Sequence, residues 1–258
     1  MPSQVTDSPD HLKRKRFFDR LLTIYGRKPV LEALENPNIP CYRLHLADTN
    51  KPGGIIKQII TLAEQRGIEV AYHSRQELSR ISRNSKQDQG IAADLECPNH
   101  QLLDDFIAHP PQENFSLIAL DGITNPQNLG MIIRSVAASP CHGILLPQKG
   151  TAAISPLVIK ASAGTLFKST LIHCDSLEKA LPKLKGTGVI CCTLSSHSNQ
   201  TLKEFTTEAP VVYVLGNETE GVSKQVSALC TEHIRIPMNN GVESLNVAVT
   251  AALLAFHN

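Results

Sequence analysis

The chain predicts an α/β fold built on a mostly parallel sheet, on three observations. From Ser116 onward, short apolar runs alternate with segments of helical periodicity, the rhythm of repeated β-α units. The apolar runs, such as SLIAL and VVYVL, are apolar at nearly every position, as strands buried on both faces are. Three of them break at once into polar loops rich in Gly or Asn, at residues 121–128, 216–221 and 236–246, and in open α/β sheets ligands collect beyond the carboxyl ends of strands.

Taken in order, residues 1–22 read as a basic, flexible tail, with His11, Lys13, Arg14, Lys15, Arg16 and Arg20 around Phe17 and Phe18. Such an arm neutralises phosphates without reading sequence, although charge alone equally allows a solvated tail. Residues 23–97 give a Gly-initiated helix (GRKPVLEALEN), a strand (YRLHLA), a long helix (IIKQIITLAEQRG), a short strand (EVAYH), a helix after Ser74 (SRQELSRIS) and a last strand (GIAADL), a small α/β domain. Pro98, Pro110 and Pro111 and a short helical piece make residues 98–115 a linker.

Residues 116–258 form the larger domain. SLIAL is followed by the helix NLGMIIRSVAAS, the strand HGILLP and a helix PLVIKASAG with Ser155 as cap and Pro156 in its first turn. The strand TLIHC, the helix SLEKALPKL, the strands GVICCTL and VVYVL, a short helix near VSKQVSAL, the strand HIRIP and a final helix SLNVAVTAALLAF complete it.

Composition places the chain among ordinary globular proteins: 258 residues, 41% hydrophobic and 19% charged. No run approaches the roughly 20 apolar residues of a membrane span and no leader pattern opens the chain, so a cytoplasmic location is expected. The seven cysteines, Cys41, Cys97, Cys141, Cys174, Cys191, Cys192 and Cys230, show no zinc or redox spacing and read as reduced, buried side chains; no metal is expected. The net charge of +1 hides an asymmetry, with 15 basic against 12 acidic residues up to Cys97 and 10 against 12 beyond.

The usual nucleotide-binding signatures are missing. There is no GxxxxGK[ST] loop, and Gly186 and Gly188 make only a GxG without the third glycine, which disfavours an ATPase or a dinucleotide enzyme. ASAG around Ser162 lacks the first glycine of a nucleophile elbow and falls in a predicted helix, so hydrolase chemistry has little support. The three loops offer instead Asn125, Asn128 and Arg134, then Asn217, Glu218 and Glu220, then Glu243, Ser244 and Asn246. Arg134, six residues after Asn128, brings forked donors suited to phosphate or ribose oxygen, or a surface ion pair if it acts alone. Glu218 lies between Gly216 and Gly221, a spacing that serves a site or merely a turn. Ser244 suits a cap for the final helix, and Asn246, at its second position, is harder to explain by packing.

In their order, NPQNLGMIIRS, LGNETEGVS and IPMNNGVESLNVAVTAALL resemble the three signature motifs of the SpoU (TrmH-type) RNA 2′-O-ribose methyltransferases of the SPOUT superfamily. SPLVIKASAGTLF is similar to the helix leading to that family's ASAGA segment. YGRKPVLEALEN and DQGIAAD resemble its small substrate-binding domain, itself similar to certain ribosomal proteins. The resemblance implies a carboxy-terminal trefoil knot, an exception to the usual absence of knots, a homodimer, and S-adenosylmethionine as cofactor. It places the cofactor at Leu194, at Leu215, Gly216 and Asn217, at Ile236 and Met238, and at Leu245, with Gly216 leaving room for adenine. It makes Asn128, Arg134, Glu218, Ser244 and Asn246 the catalytic set.

The implied reaction is in-line attack of a ribose 2′-oxygen on the sulfonium methyl, which needs no metal because the leaving group carries its own activating charge. Alignment alone lowers such a barrier by roughly 7–11 kcal/mol. The family assigns the counterpart of Arg134 as general base; with a pKa above about 12 an Arg suits stabilisation of the developing alkoxide better. The domain order resembles the branch acting on a large-subunit ribosomal RNA guanosine, with transfer RNA as the next substrate. An adenosine-directed drug-resistance enzyme and a non-catalytic RNA-binding or ribosome-assembly protein share the layout. The chain departs from the pattern at Asp88, where the family has His and an RNA contact is expected to be missing, at Ser139 and Pro140, at Thr165 and at Ala248. None removes a residue of the catalytic set.

Overall fold

A computed structural model describes residues 20–51, 53–112 and 114–257, in two compact units divided after Pro98. The basic cluster read from residues 1–22 lies, apart from Arg20, outside the described residues.

The first unit contains β1 (Leu21–Tyr25), α1 (Arg27–Glu35), β2 (Cys41–Ala47), α2 (Gly54–Gln65), β3 (Glu69–His73), α3 (Arg75–Ser82) and β4 (Ile91–Glu96). They form a four-stranded sheet of order β1-β4-β2-β3, with β4 antiparallel to β1 and β2, and β3 parallel to β2. β1 was not anticipated, and the boundary drawn at residue 22 falls inside it. It is an edge strand with only Ile24 fully buried, so its run LLTIY lacks the continuous burial that marks a strand in sequence. Ile24, Leu44, Leu46 and Leu95 pack with Val30, Leu34, Ile56 and Ile59 of the two longer helices in the buried core. Leu78 of α3 meets Ala47 and Ala92 on the sheet. Ser74 caps α3 as its sequence promised, in a reciprocal bond with Glu77.

Asp88 is fully buried. Its carboxylate pairs with Arg75 at 2.6 Å and accepts from the Ser82 hydroxyl at 2.8 Å and the Gly90 amide at 2.9 Å. The position read as a missing RNA contact is an internal anchor for the loop that carries it.

The second unit holds β5 (His100–Leu102), α4 (Leu103–Ala108), β6 (Ser116–Leu120), α5 (Pro126–Ala137), β7 (Gly143–Pro147), α6 (Pro156–Ala161), β8 (Leu171–Cys174), α7 (Leu177–Lys185), β9 (Ile190–Leu194), β10 (Val211–Leu215), α8 (Lys224–Ser227), β11 (Glu232–Ile234) and α9 (Val247–Ala255). Its seven strands run in the order β11-β9-β10-β6-β7-β8-β5, and every neighbouring pair is parallel. All five residues of β10 and of β7 are buried, as expected of strands covered on both faces. The stretch 98–115, expected to be a linker, supplies β5 and α4, and the side chains of Leu103 and Phe106 enter the core. Pro98 stands at the division between the two units, and Pro110 and Pro111 follow the end of α4.

Two contacts fix the helices nearest the polar loops. α9 packs along α5 and over β6. α5 lies so close to α6 that a Cβ on Gly130 would stand 2.4 Å from the Ala161 methyl and 2.8 Å from the Val158 carbonyl oxygen. The cysteines are buried apart from the half-buried Cys41, and burial pushes the thiols of Cys97, Cys174, Cys192 and Cys230 up to about 12. No described helix is long and apolar enough to cross a membrane.

Candidate functional site

The strands β6, β10, β9 and β11 are neighbours and parallel, so the loops that follow them leave from one edge of the sheet. After β6, the Asn125 side chain caps α5, accepting from the amides of Gln127 at 2.8 Å and Asn128 at 3.4 Å, with Pro126 in the first turn. After β10, the chain folds back on itself: Asn217 and Gly221 exchange backbone hydrogen bonds of 3.1 and 2.8 Å. The Asn217 amide then donates to the Gly122 carbonyl at 3.0 Å, and Asp121 accepts from the Ser223 amide at 2.7 Å, tying this hairpin to the loop after β6.

Gly216 is essential to that hairpin. A Cβ there would lie 2.0 Å from the Gly221 carbonyl carbon and 2.1 Å from the Val222 nitrogen. The close approach that requires glycine at position 216 is thus made by the loop's own backbone.

Three of the five residues of the expected catalytic set meet. The Asn128 amide nitrogen donates to the Glu218 carboxylate, and the Asn246 amide nitrogen donates to the Asn128 carbonyl oxygen at 3.2 Å. Asn246 in turn accepts from the Ala248 amide at 2.9 Å, which makes it the cap of α9. Ser244 therefore does not cap the final helix, and Asn246 is not inside it; the predicted start falls two residues early because Leu and Asn continue the helical pattern while the backbone is still a loop. Asn128 is 6% exposed, whereas Glu218 and Asn246 face solvent.

Arg134 stands apart. It lies in the last turn of α5, exposed, about 9 Å along the axis from Asn128 at the rise of an α-helix. Asn128 and Arg134 thus lie at opposite ends of α5, in its first and last turns. Ser244 is also outside the bonded trio and lies instead in a cleft.

That cleft, about 290 Å³, opens beyond the carboxyl ends of β9 and β11. Leu194, Ile236, Met238 and Leu245 line it, four of the seven residues expected to hold a cofactor. Ser195, Ser196, Arg235, Glu243, Ser244 and Thr250 supply its polar groups. Leu215, Gly216 and Asn217 are not among its lining residues: Leu215 is buried in β10, and the other two are spent on the hairpin. Ser195, Ser196, Arg235 and Thr250 were not singled out in the sequence. The first two directly follow β9 and Arg235 directly follows β11, so the strand-end rule applied to every strand would have found three of the four. Among the described residues no group of three or more His, Cys, Asp or Glu side chains is placed to hold a metal.

Comparison with known proteins gives concordant matches. Residues 115–256 match the SpoU rRNA methylase family, and residues 23–101 match the RNA 2′-O ribose methyltransferase substrate-binding family. A protein of Mycolicibacterium vanbaalenii named as an uncharacterized tRNA/rRNA methyltransferase is 32% identical over 233 residues, covering 90% of this chain and 74% of its own length. A similarly named protein of Mycobacterium ulcerans is 32% identical over 240 residues, covering 92% and 76%. Among solved structures, the rRNA methyltransferase of Sinorhizobium meliloti superposes with a TM-score of 0.63 at 25% identity over 95% of this chain and 89% of that one. The SpoU methyltransferase AviRb of Streptomyces viridochromogenes, in complex with AdoMet, gives 0.62 at 21% identity over 96% and 91%, a likeness of fold.

Proposed function

From the premise that this chain belongs to the SpoU rRNA methylase family and is an RNA methyltransferase, we propose that it methylates a ribose 2′-oxygen with S-adenosylmethionine as donor, its substrate a guanosine of large-subunit ribosomal RNA. The bonded trio Glu218–Asn128–Asn246 carries this reading, because it joins one residue from each of three strand-end loops at the mouth of a parallel sheet. The match of residues 23–101 to a 2′-O ribose methyltransferase substrate-binding family supports the ribose oxygen. Transfer RNA is the second reading, favoured by the relatives whose names couple the two RNAs.

The cleft suits the donor. Leu194, Ile236, Met238 and Leu245 give apolar surface for a planar base, and Ser195, Ser196, Glu243 and Ser244 give hydroxyls and a carboxylate for ribose and amino groups. When bound, S-adenosylmethionine supplies a methyl group activated by a neighbouring sulfonium charge. The protein's share is alignment and charge. Asn128, held from both sides, fixes the Glu218 carboxylate toward solvent, where it orients the incoming ribose. The Arg134 guanidinium stabilises the alkoxide that develops at the 2′-oxygen.

The same reading includes a carboxy-terminal trefoil knot and a homodimer. The strand order, which carries the chain from β8 across β6 to β9, and the return of α9 onto α5 and β6 support the first. α9 supports the second: it is apolar but for Thr250, Val249 and Leu253 on it and Phe256 at its end are 43–56% exposed, and Met131 of α5 is 41% exposed. The test of the whole reading is transfer of labelled methyl from S-adenosylmethionine to size-fractionated RNA, followed by nucleoside mass analysis. A 2′-O-methylguanosine in large-subunit RNA is the expected product; base methylation, or RNA binding without incorporation, would overturn it.

A further inference from the structure

A cavity of about 540 Å³ lies at the end of the parallel sheet opposite the polar loops, where β6 and β10 start and the chain enters β7. Pro140 and His257, just past the ends of α5 and α9, belong to its walls. The remaining walls are largely aromatic. Phe205 stands edge to face against Tyr213 with ring centres 6.1 Å apart, and Phe115 stands so against His142 at the same distance. Nothing in the reaction proposed above uses this end of the sheet.

Tyr213 sits in the middle of β10, 3% exposed, yet its hydroxyl bonds to no described residue. A phenol inside a domain ordinarily finds a partner for its hydroxyl, and this one is left open to the cavity. Two further polar walls have given N–H groups to the protein and kept acceptors. The His257 Nε2–H donates to the Phe205 carbonyl at 2.8 Å, which leaves Nδ1 as the acceptor of the neutral ring. An Asn114 amide N–H donates to the Glu208 carbonyl, which leaves the Asn114 side-chain oxygen free. No lysine or arginine lines the cavity among the described residues, Arg134 in the last turn of α5 included. Glu208, exposed between the lining residues Thr207 and Ala209, has no ion-pair partner among the described residues. The carboxyl ends of α5 and α9 add the negative poles of two helix dipoles.

We propose that this cavity binds an organic ammonium, a small amine carried on an alkyl chain. Aromatic rings attract a cation through their faces, and the Tyr213 hydroxyl, with the free acceptors of His257 and Asn114, takes its N–H groups. The alkyl chain lies along the rings, and the Glu208 carboxylate draws the charge to the mouth. An anion would meet spent donors beside a carboxylate. The site is separate from the cleft assigned to the methyl donor, and it stands whether or not the methyl-transfer reading does.

The test is calorimetric titration of the full chain with 1,4-diaminobutane, beside the neutral 1,4-butanediol and the anionic succinate, which have the same four-carbon span. The diamine alone should bind, at one site per chain. Tyr213→Phe, which keeps the ring and breaks no bond of the protein, should weaken it roughly tenfold with an unchanged unfolding midpoint. Glu208→Lys should weaken it at least about tenfold, whereas Glu64→Lys, the same charge change at an exposed site of the first unit, should leave it within about twofold. No saturable binding up to about 10 mM diamine, equal binding of the diol or of succinate, or parental affinity in either Tyr213→Phe or Glu208→Lys overturns the site. Saturating S-adenosylmethionine should not displace the diamine. Competition between them would place the amine in the cofactor cleft and equally overturn the proposal.

Discussion

The Asn128 side chain donates to Glu218, 90 residues further along the chain, while accepting from Asn246, 118 residues away. Both ends of one buried amide are thereby used to hold together loops that are remote in sequence. An amide is suited to this because it donates and accepts at once, which neither a carboxylate nor an ammonium does at neutral pH.

Replacing Asn128 by Ala removes both bonds and leaves the Asn246 amide without its acceptor. Thermal or urea unfolding should show a loss of about 1–3 kcal/mol, and methyl transfer should fall roughly 100-fold or more. Asn128→Asp sets a second carboxylate against Glu218 and should be worse at neutral pH. Stability of that variant should partly recover on acidification, and a pH-independent loss would argue against the contact.

Arg134→Ala should separate chemistry from stability. The side chain is exposed at the end of α5, so the unfolding midpoint should shift by no more than about 0.5 kcal/mol. Calorimetric affinity for S-adenosylmethionine should be unchanged while incorporation into RNA is abolished. Near-normal turnover would remove Arg134 from the catalytic set.

Gly216→Ala should act through the hairpin. With 2.0 Å between the added Cβ and the Gly221 carbonyl carbon, backbone must move, and a loss of at least about 3 kcal/mol is expected. Cofactor affinity and turnover should fall together, because the displaced hairpin carries Glu218. A stable variant with weakened cofactor binding alone would instead mean that Gly216 touches the ligand.

His100 makes stability sensitive to acid. Burial, with the neighbouring His173 imidazole adding to it, lowers its pKa to about 3. Below about pH 6.5 the unfolded chain takes up a proton that the folded chain refuses until about pH 3, so stability is constant above this window and falls as pH drops through it. The loss attributable to His100 at pH 5 is on the order of 2 kcal/mol. Urea midpoints of His100→Leu should show a correspondingly shallower decline between pH 7 and pH 5.

Leu253→Glu places a charge on the outer side of α9, where Leu253 is 43% exposed. Sedimentation should show a dimer for the parent chain and a monomer for the variant. A monomeric parent would mean that the apolar face of α9 has another role.

Much of this was legible in the sequence, for identifiable reasons. The strands of the parallel sheet announced themselves because burial on both faces leaves continuous apolar runs such as VVYVL. Ser74 marked a helix start because capping is a local interaction, whereas Asn125, read only as a polar loop group, proves to be the cap of α5. β1 and β5 escaped notice because an edge strand, or one of three residues, owes its form to a distant partner, β4 or β8. The trio was named residue by residue, but its bonds span the chain and have no signature in spacing. Asn246 was misread for the opposite reason: the pattern SLNVAV carries apolar periodicity through a cap.

Gly130 deserves a reading as a gauge. It lies two residues after Asn128 and four before Arg134, at the point where α5 is pressed against α6. A single added methyl would lift the helix by the width of the contact and carry both polar side chains with it. The hairpin after β10 and the caps of α5 and α9 are held by hydrogen bonds, whereas this spacing between two helices is held by contact alone and leaves no room for one more carbon. The zero point from which Asn128 and Arg134 are placed is thus set by a residue with no side chain of its own.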